Sequence, residues 1–416
     1  METSRGNRTH IAIFGKRNVG KSSLINVLTD QEVATVSDVL GTTTDPVYKS
    51  MELLPLGPVV LIDTAGLDDD GELGQKRVDQ TKKIIHKADI ALYMFDVNEG
   101  IDKVDLDTID MLTKRETPVI ALFNKVDTSE MTEESLEEKA KSLKIPHVLI
   151  SAKNNEGIDE LKTMLATIFT QLESPRFLIG DLVSTGDVVV LVTPIDEGAP
   201  KGRLILPQQQ TIRELLEHGA ISIVTREVEL AQTLEKFGDQ VKLVVTDAQA
   251  FGFVAKIVPP QIPLTSFSIL FARFKGELEV VVEGIKEIEH LKAGAKVLIC
   301  EACTHHRQGV DIGKVKIPQL LRQMTNVDLD FTWYSGTGFP TESEIAHYDF
   351  MVHCGGCMIN QKEMEHRLNQ AKQFNIPVVN YGIFLAYASG VLKRAIEPFE
   401  EISSILEEGD HHDLLR

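Results

Sequence analysis

Gly15-Lys16-Arg17-Asn18-Val19-Gly20-Lys21-Ser22 decides how the first part of this 416-residue chain is read. The stretch fits G-x-x-x-x-G-K-S and lies between an apolar run at 10–14 and the start of an amphipathic segment. A strand, a glycine loop and a helix in that order make a phosphate cradle. The glycines Gly15 and Gly20 let backbone N–H groups close around phosphate oxygens, and the helix N-terminus adds a favourable dipole. Lys21 would neutralise the β- and γ-phosphates and Ser22 would ligate Mg²⁺, with Ser23 completing the binding set. On its own the loop leaves ATP and GTP equally open.

The motifs that follow decide between them. Asp63-Thr64-Ala65-Gly66 closes an apolar run at 59–62, which puts Asp63 near the metal and Gly66 near the γ-phosphate. Asn124-Lys125-Val126-Asp127 stands at the end of the run 119–124, where the Asp127 carboxylate can accept from guanine N1–H and the 2-amino group, donors that adenine does not offer. Ser151-Ala152-Lys153 follows 147–150, a place where a backbone N–H can meet guanine O6. Gly41-Thr42-Thr43-Thr44 supplies a threonine that senses the γ-phosphate and Mg²⁺, best assigned to Thr43. The catalytic set is then Lys21, Thr43, Asp63 and Gly66. Five motifs in this order, each at a strand end, select guanine nucleotides.

Over 10–172 these motifs resemble the translation-factor-related GTPases of the Era and tRNA-modification type. Leu67 follows the Asp63–Gly66 motif, so no glutamine stands there to orient water. Asn18 occupies the position that ligates K⁺ in potassium-activated relatives, where a monovalent cation replaces an arginine finger. The resemblance therefore implies slow hydrolysis, faster in K⁺ than in Na⁺. The alternative is that Asn18 is a turn residue only.

The length suggests roughly two to four domains. The expected fold is α/β, an N-terminal P-loop GTPase domain followed by two further α/β domains with parallel sheets. Strands are expected at 10–14, 59–62, 90–96, 119–124 and 147–150, and a helix at 158–172 closes a first domain at 1–174. A second domain, 175–262, carries strands at 188–192, 221–224 and 241–245 and helices near 212–218 and 228–237. Self-association is its expected role. A third, 263–416, has strands at 295–300, 329–334, 349–353 and 377–381, with helices at 280–293, 318–324 and 361–374.

Composition is that of a globular protein, with 43% hydrophobic and 25% charged residues. No apolar run approaches the roughly 18 residues that span a bilayer. The polar residues 1–9 do not resemble a secretory signal, so a cytoplasmic, membrane-free protein is expected. The net charge of −19 repels phosphate backbones and argues against a nucleic-acid partner.

All four cysteines lie in the third stretch, as Cys300-x-x-Cys303 and Cys354-x-x-Cys357. In a parallel sheet both segments emerge at the carboxyl edge, where Gly355 and Gly356 let the second loop turn back on itself. Three readings of the residues stand open. The cysteines are idle core thiols, or they form a Cys₄ zinc site. Otherwise Cys303, Cys354 and Cys357 hold an iron–sulfur cluster with a labile fourth position, near His305, His306 and His353.

The whole pattern, a G domain and then C-x-H, 47 residues and H-C-x-x-C, resembles the GTPase maturation factors of [FeFe]-hydrogenase. That resemblance implies GTPase, dimerisation and [4Fe-4S]-binding domains. Cys303, Cys354 and Cys357 match the cluster ligands, and His305 and His353 the motif histidines. It further implies a homodimeric scaffold that receives a two-iron precursor made with two radical-SAM maturases and delivers it to apo-[FeFe]-hydrogenase. A different class, a ribosome-assembly or tRNA-modification GTPase with a structural zinc, would need a basic RNA-binding surface that the charge balance does not supply.

Overall fold

The computed structural model describes residues 5–29, 46–64, 81, 83–172, 176–195, 204–302, 311–336 and 338–403. Thr43, Gly66, Leu67, Cys303, His305 and His306 lie outside the described residues. The chain forms two compact units, Met1–Pro175 and Arg176–Arg416.

The first unit is built on a six-stranded sheet of order β2-β3-β1-β4-β5-β6. Its strands are β1 Thr9–Gly15, β2 Val47–Leu53, β3 Gly57–Asp63, β4 Ile90–Asp96, β5 Val119–Asn124 and β6 His147–Leu149. Ile11 and Ile13 face one buried core while Ala12 and Phe14 face another, so β1 is apolar throughout because both sides of it are covered. Only β2 runs antiparallel, against β3. It escapes sequence reading because it is a half-exposed edge strand with lysine, serine and glutamate among its residues. The chain reverses its direction of strand addition beside β1, so the loop after β1 opens at a topological switch point.

The second unit holds two four-stranded sheets, β10-β9-β7-β8 and β12-β11-β13-β14, and every strand pair in them is parallel. The first comprises β7 Val188–Val192, β8 Ile221–Thr225, β9 Val241–Thr246 and β10 Leu264–Ser266. The second comprises β11 Lys296–Glu301, β12 Asp330–Ser335, β13 Phe350–His353 and β14 Val378–Asn380. β10 pairs with β9, so the middle sheet runs past the boundary expected at 262. A single hydrophobic core extends from Leu178 to Ile402 and includes residues of both sheets. The helix Phe267–Lys275 packs against both β10 and β14 and buries Phe267, Ile269, Leu270 and Phe271, which explains its lack of a polar face.

Two expected elements differ. The helix read at 280–293 is an α-helix only over Leu278–Glu283 and then tightens into a 3₁₀ segment, Gly284–His290. There Gly284 presses on β14 so closely that a Cβ would run into the Val378 carbonyl. The strand read at 377–381 stops at Asn380. The Asn380 side chain caps the next helix, Tyr381–Ala388, by accepting from the N–H groups of Gly382 and Ile383.

Candidate nucleotide site and cysteine loop

β1 hands the chain to the glycine loop, which enters the helix Lys21–Thr29. Gly15 (φ +138°) and Gly20 (φ +101°) adopt backbone that L side chains rarely take. A Cβ on Gly15 would run into the Met94 carbonyl, and one on Gly20 into the Asn124 amide nitrogen. Asn18 is exposed at φ 59°, a left-handed conformation that asparagine tolerates better than most residues. The Lys21 ammonium is buried in the loop and donates to the carbonyls of Gly15 at 2.8 Å and Lys16 at 2.6 Å.

The metal and base ends follow from strand ends. Ser22 Oγ donates to Asp63 Oδ2 at 3.1 Å, bringing two hard oxygen donors together at the foot of the loop, a set that fits Mg²⁺. Burial raises the Asp63 carboxyl above its ordinary range, against the pull of the Lys21 ammonium and the Ser22 hydroxyl. Asn124 is 3% exposed; its Nδ2 donates to Val19 O at 2.8 Å and its Oδ1 accepts from the Ala152 N–H at 2.9 Å. The Ala152 N–H is therefore taken up by Asn124. Lys125, at φ 69°, pairs with Asp96 at 2.6 Å. Asp127 is exposed and its carboxylate accepts from Ser151 Oγ at 2.7 Å, which presets the acceptor for a base. Lys153 is exposed.

Sequence reasoning missed the brace behind the loop. Lys16 Nζ lies 2.8 Å from Asp102 and 3.2 Å from Asp105, at the start of the helix Lys103–Lys114. Asp105 is buried and also accepts from the Tyr93 hydroxyl at 2.9 Å. The D-x-x-D spacing of a reciprocal cap was the available signal.

In the second unit, β11 and β13 are parallel neighbours, with Cys300 opposite His353. The strand order reverses between them, so the expected convergence at a carboxyl edge is met for 300–302 and 353–357, and it falls at a switch point. The Cys354 N–H donates to Cys300 O at 2.9 Å. Its sulfur accepts from the N–H groups of Ala302 at 3.1 Å and Gly356 at 3.4 Å. Burial raises the Cys354 thiol, and those two N–H groups work against the rise. Gly356 makes the turn at φ +66°, where a Cβ would run into the Met364 methyl. Burial pushes the Cys357 thiol to about 11.

Cys300 is fully buried in the hydrophobic core and burial pushes its thiol to about 12, so it behaves as a core residue. His353 is 2% exposed, and both of its ring nitrogens are engaged. Nε2 faces Arg367 Nη1 at 3.2 Å and Nδ1 faces Cys354 O at 2.7 Å. Among the described residues no group of three or more His, Cys, Asp or Glu side chains is arranged to hold a metal ion. Cys354, whose sulfur receives two N–H groups, and Cys357, past the turn at Gly356, are nonetheless soft donors of the kind that suits a thiolate-ligated cluster. No described helix is long and apolar enough to cross a membrane.

Family models match the chain at three places. Residues 10–125 match a 50S ribosome-binding GTPase model, 178–276 the hydrogen maturase F dimerization domain, and 279–398 the hydrogen maturase F tetramerization domain. The chain is also similar to tRNA modification GTPases MnmE. That of Desulfotalea psychrophila is 32% identical over 170 residues, covering 40% of this chain and 35% of the relative. That of Nitrosomonas europaea is 37% identical over 156 residues, covering 37% and 33%. The match thus spans about a third of the length of these relatives. Among solved structures, Era in complex with MgGDPNP and a segment of 16S ribosomal RNA superposes with a TM-score of 0.35 at 20% identity, covering 56% of this chain and 98% of that one. The two hydrogen maturase F models together take in more than half of the chain behind a GTPase domain, and the chain belongs to the hydrogen maturase F family.

Proposed function

We propose that this chain is a GTP-hydrolysing metallocluster scaffold that delivers a two-iron precursor to apo-[FeFe]-hydrogenase, working with two radical-SAM maturases. The observation that carries the reading is the Cys354–Cys357 turn. It stands at the switch point of a parallel sheet, next to the strand that leads into Cys303, in a chain of the hydrogen maturase F family. Cys303, Cys354 and Cys357 would hold a [4Fe-4S] cluster, with His305 beside them. Such a cluster, when bound, supplies an iron with an exchangeable coordination position. The chain's own residues shape the site: Gly356 turns the loop, and the N–H groups of Ala302 and Gly356 stabilise negative charge on the Cys354 sulfur.

In the first unit Gly15, Gly20 and Lys21 would cradle the phosphates of GTP, and Ser22, Thr43 and Asp63 would bind Mg²⁺. Gly66 would meet the γ-phosphate and Asp127 would read the guanine edge. Hydrolysis would release the segments carrying Thr43 and Gly66, a switch that acts on partner binding. Asn18 faces solvent from the loop, in keeping with a K⁺ ligand, and hydrolysis is expected to run faster in K⁺ than in Na⁺. Equal rates would remove Asn18 from the mechanism.

Anaerobic reconstitution with iron and sulfide tests the cluster. Four irons and four sulfides per chain, with a [4Fe-4S] EPR signal lost in Cys303→Ala, is the expected result. One tightly held zinc and no cluster would turn the reading toward an assembly GTPase with a structural metal.

A further inference from the structure

Among the described residues Arg367 is the largest fully buried side chain, 1% exposed, on the helix Gln361–Gln373. A guanidinium is always protonated and has no acceptor atom, so its bond to His353 Nε2 makes that nitrogen the acceptor. The ring proton must then sit on Nδ1, which donates to the Cys354 carbonyl at 2.7 Å. Arg367 also donates to Gly336 O at 3.1 Å and to Glu363 Oε1 at 2.6 Å, and its plane lies over the Phe339 ring at 5.0 Å. Glu363 offsets part of its charge. At the far end of the same loop a second buried cation, Lys275, donates to the carbonyls of Ile359 at 2.5 Å and Cys357 at 3.3 Å. The loop 353–359 is thus held at its two ends by buried cationic side chains that bond to its His353 ring and its carbonyls. A buried guanidinium costs too much to keep for packing alone, and similar volume could be filled by apolar residues.

We propose that Arg367 is a positioning residue for the cluster, acting through His353 to fix the tautomer of that ring and the carbonyl, and hence the sulfur direction, of Cys354. This rests on the cluster reading given above. His353 then serves as a strut rather than an iron ligand, because both ring nitrogens are already used. Partners of this kind behind ligands typically change metal affinity about 10- to 100-fold when removed. Their charge and hydrogen bonds also set cluster potentials.

The test uses the full-length chain, reconstituted anaerobically with iron and sulfide, in wild-type, Arg367→Gln, Arg367→Lys and His353→Phe forms. Iron loss to a ferrous chelator and the EPR-monitored midpoint potential are measured on each. Arg367→Gln is expected to lose iron about tenfold faster or more, and its reduction equilibrium should shift about threefold or more toward the oxidised form. Arg367→Lys, which keeps the charge but not the fork, should restore the potential and only part of the retention. If Arg367→Gln lacks the wild-type circular dichroism, His353→Phe decides, since it leaves the Gly336 and Glu363 bonds of Arg367 in place; faster iron loss supports the proposal. Wild-type rates and potential in loaded Arg367→Gln and His353→Phe would overturn the positioning role while leaving the cluster reading intact. A wild-type chain that takes up no four-iron cluster would overturn both.

Discussion

Asn124 joins three parts of the nucleotide site that are far apart in sequence: its own strand end, Val19 in the phosphate loop and Ala152 in the base loop. Its two hydrogen bonds are buried, so truncation leaves a carbonyl and an N–H without partners. Each such orphan costs about 1–3 kcal/mol. Asn124→Ala should therefore lower the unfolding free energy of the first unit by about 2–6 kcal/mol and weaken GDP binding about tenfold or more. Denaturant titration and a fluorescent-GDP titration check the two effects, and unchanged affinity would mean that the loops are held by other contacts. Lys16 makes a second case. Asp105→Asn keeps an acceptor for the Tyr93 hydroxyl but removes the charge that holds Lys16 at 3.2 Å. Because Lys21 donates to the Lys16 carbonyl, loosening Lys16 loosens the ammonium that meets phosphate. GDP dissociation should accelerate several-fold in stopped-flow chase, with guanine-over-adenine preference unchanged because Asp127 and Ser151 are untouched. The described motif residues, among them Gly15, Gly20, Lys21, Ser22, Asp63, Asn124 and Asp127, could be picked out as candidates in the sequence because phosphate, metal and guanine each demand one chemistry at one spacing. Asp96, Asp105 and Arg367 were not, since an aspartate at a strand end or a helix start, or an arginine on a helix, is ordinarily solvated, and only the fold buries these.

Strands that are covered on both faces announce themselves as apolar runs, which is why β1, β4, β5 and β7 were readable. β2 and β10 were not: one is a polar edge, and the other is a three-residue strand, Leu-Thr-Ser, with a single apolar residue. The segment 284–290 kept a helical pattern in sequence but not an α-helical backbone, because Gly284 sits against β14. An added methyl there meets backbone that cannot give way. Gly284→Ala should cost about 1–3 kcal/mol, read as a lower denaturation midpoint of the second unit with unchanged GDP binding. A wild-type midpoint would show that the 3₁₀ segment tolerates displacement. β8 raises the opposite question, for it is an edge of its sheet with Ile221 52% and Val224 43% exposed, and Val228 just beyond it is 65% exposed. An apolar open edge invites pairing with another strand. Ile221→Lys with Val224→Lys should shift sedimentation toward smaller species while leaving the circular dichroism unchanged. Retention of the wild-type sedimentation coefficient would exclude this edge from self-association.

Each compact unit closes its own core: the clusters around the first sheet use residues 11–169, and the shared core of the other two sheets uses residues 178–402. Folding cooperativity follows shared burial, so two cores of this kind are expected to melt as two events rather than one. Their ligands differ as well. Guanine nucleotide is expected to bind the first unit and the cluster the second, and a ligand that binds only the native form of one unit raises the stability of that unit alone. At a hundredfold excess over its dissociation constant the gain is about 2.7 kcal/mol. Mg²⁺ and GDP should therefore move the first calorimetric transition upward and leave the second where it was, and anaerobic cluster loading should do the reverse. Lys21→Ala should abolish the first shift without touching the second, because its ammonium bonds to carbonyls of the phosphate loop in the first unit. One merged transition, or a displacement of both by nucleotide alone, would mean that the two units unfold as a single cooperative body, and nucleotide state would then reach the cysteine loop through stability itself rather than through partner binding.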